Sequence, residues 1–97
     1  MNNNHLRFKF RLYVADDTHN SAQAIANLRA ICVRYMPDHH EIEIIDVFKE
    51  PERALADGIL MTPTLVKVEP MPEQRIVGVL SDISVVLRAL GLEPLSA

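Results

Sequence analysis

The chain is poor in the residues that most small-protein chemistries need: it has one cysteine, three glycines, no tryptophan, two tyrosines and three phenylalanines among 97 residues. A lone cysteine, Cys32, excludes an internal disulfide and fits a reducing compartment. Three glycines leave no Gly-rich phosphate loop and no Gly-x-Ser-x-Gly elbow, so nucleotide-binding and hydrolase readings have no carrier. The few aromatics do not interleave with a basic stripe, which argues against an RNA-binding sheet. A formal charge of −3 and a pI near 5.7 give no general attraction to nucleic acid or an anionic membrane. No stretch approaches the ~18 apolar residues of a membrane span, and the start, Met1-Asn2-Asn3-Asn4-His5, has no apolar leader segment. A cytoplasmic protein with a disordered tail over residues 1–5 is expected.

What is present is an ordinary globular composition, 48% hydrophobic with both charge signs interspersed. A chain of this length makes one domain and buries roughly 60 to 65% of its unfolded surface. Phe8, Phe10, Leu12 and Val14 alternate with basic residues, predicting a first strand whose opposite face carries Arg7, Lys9 and Arg11. Ser21, Ile25, Leu28, Cys32 and Tyr35 recur at helical spacing, with Asn20 as N-cap and Pro37 closing the region. Residues 41–47 read as a second strand, and a long helix between two strands implies a right-handed parallel crossover. Pro51 opens a short helix to Ala56, stopped by Gly58. Residues 64–68 and 74–79 form an antiparallel pair across a connection stiffened by Pro70 and Pro72. Ser81 then caps a last helix with Ile83, Val86, Leu87 and Leu90 on one face and Gly91 as its stop. The order is βαβαββα, an α/β single domain over residues 1–97.

Met61-Thr62-Pro63-Thr64-Leu65 resembles the cis-proline turn of thioredoxin-like proteins, which predicts a mixed four-stranded sheet and a cis bond at Pro63. The loop where that fold keeps its Cys-x-x-Cys, Ala15 to Ser21, holds no sulfur. Cys32 falls late in the first helix on its apolar stripe, where a free cysteine is a small buried hydrophobe, not a nucleophile. A residual thiol-redox enzyme using Cys32, or glutathione at the Pro63 turn, is the competing reading from another class. Asp16, Asp17 and His19 offer oxygen and nitrogen to a metal, but adjacent carboxylates in a loop more often solvate a turn. His39 and His40 have no third ligand near them in sequence. No metal or cofactor is expected.

Leu12-Tyr13-Val14-Ala15, Asn20-Ser21, Ile44-Ile45-Asp46-Val47, Lys49, Pro51, Ile59-Leu60, Thr62-Pro63-Thr64-Leu65, Lys67, Pro70, Pro72 and Arg75-Ile76-x-Gly78-x-Leu80-Ser81-Asp82 together resemble the KaiB family over nearly the whole chain. The resemblance implies a non-enzymatic regulator that docks onto a KaiC-like ATPase, sequesters KaiA and competes with a KaiB-like sensor domain of a histidine kinase. It also implies exchange between a thioredoxin-like monomer and a tetramer of different fold. Glu43 and Val79 stand where clock-type members carry Lys and Asp, which argues against a KaiA-like partner. Ala89 and Gly91 depart from the family's Gly and Asp, and Ala89 favours the helical, thioredoxin-like form. These changes fit a divergent paralogue. The residues expected to bind protein are Arg7, Lys9, Arg11, Gln23, Asp46 and Lys49, set against the plainer reading that the three basic ones form a solvated strand face balancing Glu41 and Glu43. A kinase-sensor-like adaptor is the alternative within the binding class.

Overall fold

A computed structural model describes residues 7–92, so the expected tail over residues 1–5 lies outside the described residues. The elements are β1 (Phe8–Val14), α1 (His19–Tyr35), β2 (His40–Asp46), α2 (Pro51–Ala56), β3 (Thr64–Glu69), β4 (Gln74–Val77) and α3 (Ile83–Ala89). They build one sheet in the order β2-β1-β3-β4, with β1 parallel to β2 and antiparallel to β3, and β3 antiparallel to β4. The expected βαβαββα order and mixed four-stranded sheet are present. β1 is an inner strand paired on both sides, so its basic side chains occupy a sheet face and not an edge.

The period-2 alternation of β1 divides the core. Phe8, Phe10, Leu12 and Val14 pack with Ala24, Leu28, Ile31 and Cys32 of α1 and with Val86 and Leu87 of α3. The other face is thinner: Tyr13, Ile45, Val66 and Ala54 of α2 form a small second cluster. Burying each large apolar side chain is worth about 1.5–3 kcal/mol, so the α1/α3 layer carries most of the hydrophobic stabilisation.

Several boundaries differ from the sequence reading for local reasons. α1 begins two residues earlier than expected because Thr18, not Asn20, is the N-cap, its hydroxyl oxygen accepting the Ser21 N–H at 3.2 Å. Ser21 is turned inward, where its hydroxyl accepts the Ala15 N–H at 3.0 Å and the Thr18 hydroxyl proton at 2.7 Å, closing the turn. β4 stops at Val77 because Gly78, at φ +121°, turns the chain away. Asp82, not Ser81, caps α3 by accepting the Val85 N–H at 3.3 Å. Ile83 consequently lies off the core and is 48% exposed, while Val86, Leu87 and Leu90 are buried. Gly91, at φ +78°, ends α3: its N–H donates to Arg88 O at 3.1 Å and the Leu92 N–H to Leu87 O at 2.8 Å, both bonds of a Schellman motif. The Thr62-Pro63 bond is cis as expected, and Glu69-Pro70 and Met71-Pro72 are cis as well.

The cap assignment is testable. Thr18→Ala is expected to lower unfolding free energy by about 1 kcal/mol in urea titrations, whereas Asn20→Ala stays within about 0.5 kcal/mol. Equal effects would remove Thr18 from the cap position.

Candidate docking surface

The parallel pairing of β1 with β2 sets Val14 opposite Asp46, so both strands deliver their C-terminal ends to one end of the molecule. The first turns of α1, the β2–α2 connection and the Pro63 turn gather there. Asp46 organises the loops: its Oδ1 accepts the Phe48 N–H at 2.9 Å and the Asp16 N–H at 3.4 Å, and its carbonyl accepts from the N–H groups of Lys49 and Glu50. This bonding pushes Phe48 outward and leaves it 72% exposed, with Lys49 exposed beside it. On the other side of α2, Leu60 and Met61 are 94% and 62% exposed immediately before the buried Pro63. They form a ridge between two shallow grooves. One, of about 180 Å³, includes Ala15, Val47, Phe48 and Thr62; the other, of about 240 Å³, includes Thr64, Arg75 and Val77. Single exposed apolar residues are ordinary; here three of them share adjoining grooves.

The six residues singled out in the sequence do not converge. Asp46, Lys49 and the exposed Gln23 of α1 share the Pro63 end. Lys9 pairs in register with Glu41, and Arg7 precedes it, so both lie toward the opposite end of β1. Arg11 sits between them on the thinly covered face, engaged with carboxylates: its Nε is 3.7 Å from Glu43 Oε1 and its Nη1 3.7 Å from Asp57 Oδ2.

That face carries an ionic lattice. Arg53 of α2 grips Glu43 of β2 with both terminal nitrogens, at 2.6 and 3.0 Å, and reaches Glu50 at 3.3 Å. The bond from Arg53 is the main reason the Glu43 carboxyl is held below its usual range. Asp57, just past α2, accepts the Tyr13 hydroxyl at 2.7 Å and Arg75 at 3.2 Å. These half-exposed pairs fix the placement of α2 more than they stabilise it. The sequence reading set Arg7, Lys9 and Arg11 against Glu41 and Glu43 but offered no sign of the parts taken by Arg53 and Asp57.

Cys32 is fully buried, and burial pushes its thiol up to about 12, so it lies in the core as expected. Among the described residues no group of three or more His, Cys, Asp or Glu side chains is arranged to hold a metal ion. No helix among them is long and apolar enough to cross a membrane.

Tyr13 supplies a pH test. Burial, then the bond to Asp57, raises its phenol from 10.0 to about 12. The unfolded chain loses this proton at lower pH, so the stabilisation is complete below about pH 10 and is lost as pH rises toward about 12. Asp57→Asn is expected to move the tyrosinate absorbance step of Tyr13 downward; an unchanged step would remove Asp57 from its environment.

Comparison with known proteins agrees with this architecture. The KaiB domain model matches residues 11–92. The chain is 43% identical over 88 residues to the circadian clock protein KaiB3 of Synechocystis, covering 91% of this chain and 86% of that protein. It is 45% identical over 82 residues to the circadian clock oscillator protein KaiB of Synechococcus elongatus, covering 84% and 80%. Among solved structures it is similar to the N-terminal domain of Synechococcus elongatus SasA, with a TM-score of 0.72, 19% identity and coverage of 99% and 95%. It is also similar to mitochondrial thioredoxin 3 of Saccharomyces cerevisiae, at TM-score 0.70, 15% identity and coverage of 90% and 80%. These two likenesses establish a thioredoxin-like fold. With a family model matching most of its length and relatives above 40% identity, the chain belongs to the KaiB family of circadian clock proteins.

Proposed function

We propose that this protein is a non-enzymatic regulatory binding module that docks onto a KaiC-like ATPase through the Pro63 end of the molecule. The observation that carries the reading is the exposed Leu60–Met61 ridge with Phe48 in the adjoining groove, Lys49 exposed beside Phe48 and the loop held in shape by Asp46. Family membership supports a role in clock-type regulation. An apolar centre with a polar rim is the anatomy of a protein interface, in which the buried centre supplies affinity and the rim charges steer encounter. Nothing in this site needs a bond to be made or broken.

The departures from clock-type members favour a divergent paralogue. Glu43 has an internal partner in Arg53, so a negative charge replaces the positive one of those members without leaving an unpaired group. This supports the reading that a KaiA-like partner is not bound here. The resting form is the thioredoxin-like monomer, favoured by the Schellman stop at Gly91 and by Ala89 inside α3.

The decisive measurement is the affinity for a purified KaiC-family ATPase from the same organism. Phe48→Ala and Leu60→Ala are each expected to weaken binding about tenfold, mostly through faster dissociation. Lys49→Glu acts chiefly on the association rate and its salt dependence, while Arg7→Ala and Lys9→Ala change affinity by about twofold or less. Absence of any complex, or indifference to both ridge substitutions, would defeat the proposal. Ala89→Gly should weaken α3 by about 0.5–1 kcal/mol, read as greater tetramer content in light scattering; an unchanged mass would deny Ala89 a part in the choice of fold.

A further inference from the structure

The two layers of the molecule differ in charge. α1 has no acidic residue in its seventeen, and α3 has none in its seven. Most acidic side chains lie elsewhere, with Glu41, Glu43 and Asp46 on β2, Glu50, Glu52 and Asp57 around α2, and Asp16 and Asp17 in the loop before α1; near the helices, Asp38 follows α1 and Asp82 caps α3. Apart from Arg7, which precedes β1 and is exposed, the arginines divide in the same way. Arg11, Arg53 and Arg75 of the thin face are engaged by carboxylates. Arg29 and Arg34 of α1 and Arg88 of α3 are exposed, and among the described residues none of the three is in an ion pair. Arg34 rests over the Tyr35 ring, 5.7 Å from its centroid, which leaves its guanidinium edge available.

Arg34 borders apolar surface. Val33 on the outer side of α1 is 66% exposed, and Ile83 at the start of α3 is 48% exposed. Beside Ile83 runs a groove of about 130 Å³ whose walls include Asn27, Ala30, Arg34, Tyr35 and Leu80, room for one or two aliphatic groups. Its floor is fixed, because Asn27 Nδ2 donates to Val79 O at 2.8 Å and ties α1 to the connection before α3.

We propose that the outer face of α1 and α3 is a second docking surface, distinct from the Pro63 end, and that its occupant is an acidic amphipathic segment of a partner protein. Such a segment seats an aliphatic side chain in the groove beside Ile83 and turns carboxylates toward Arg34 and Arg29. Charge complementarity selects this chemistry: arginine pairs with carboxylates through two parallel hydrogen bonds, and no acid on α1 competes for it. Nucleic acid is a poorer fit, because three scattered arginines replace few phosphate counterions and no exposed aromatic face accompanies them. A lipid surface would draw only weakly on each arginine while the acidic remainder of the molecule is repelled.

The test uses the full chain and a fluorescein-labelled synthetic helix with leucines on one face and glutamates on the other. Fluorescence anisotropy is expected to show salt-sensitive binding that falls about tenfold or more in Arg29→Glu/Arg34→Glu and also weakens in Ile83→Ser. The matching helix with lysine in place of glutamate should not bind. Both arginines are exposed, so circular dichroism should show the reversal variant folded, and its affinity for the KaiC-family ATPase should be unchanged. Equal binding by the wild type and the reversal variant would overturn the proposal, as would tighter binding to a single-stranded oligonucleotide or to phosphatidylserine vesicles. Self-association in sedimentation that Arg34→Glu abolishes would also overturn it, by assigning the face to a second copy of this chain.

Discussion

β1 has to be covered on both faces while hydrogen-bonded on both edges, and the rest of the molecule is arranged around that requirement. Phe10, Leu12 and Tyr13 are almost wholly inaccessible, yet they point to opposite sides of the sheet. One side is satisfied by the long α1 and by α3, whose apolar stripes provide a continuous hydrophobic layer. The other side is left to α2, six residues long with a single buried side chain, Ala54. Such a helix cannot hold itself down by hydrophobic contact alone. Its position is set by charges as well, with Arg53 clamped to β2 and Asp57 tied to β1 and β4.

This inequality between the faces explains where the candidate docking surface lies. The connections that flank the short α2, residues 47–50 before it and 57–63 after it, carry Phe48 on one side and Leu60 and Met61 on the other. With the small cluster beneath α2 already filled by Tyr13, Ile45 and Val66, the remaining apolar side chains have nowhere to turn but outward. Asp46 then fixes the loop that bears Phe48. The ridge thus follows from the same economy of cover that produced the ionic lattice.

Much of the fold was legible because local signals agreed with one another. The alternation of Phe8, Phe10, Leu12 and Val14, the helical recurrence of Leu28 and Cys32, Pro51 ahead of a short helix and Thr-Pro-Thr before a strand each report a backbone state that the neighbouring sequence supports. What escaped was decided between near-equivalent local choices or at long range. Thr18, Asn20 and Ser21 can all cap a helix, and only the inward turn of Ser21 toward Ala15 settles the matter. Ser81 and Asp82 present the same ambiguity, and the outcome rotated Ile83 out of the core. The partner of Glu43 is ten residues away on another element, beyond the reach of any periodicity. The basic residues of β1 read as a group from their spacing, but strand direction separates Arg7 and Lys9 from Lys49 by most of the length of the sheet. Exposure of Leu60 and Met61 was hidden too, since apolar residues in a connection have no period from which a face can be read.

The arrangement of α1 has a consequence for how the molecule meets others in solution. A helical layer whose arginines have no ion pair among the described residues, set against a mostly acidic remainder, separates charge across a molecule whose net charge is only −3. At distances well beyond the Debye length of about 8 Å, an approaching protein senses little of either sign. Closer in, the field exerts a torque before any surface touches, presenting the helices to an acidic body and the thin side of the sheet to a basic one. Two different partners could then be received in two different orientations by a single small domain, each sorted by rotation during the last ångströms of approach.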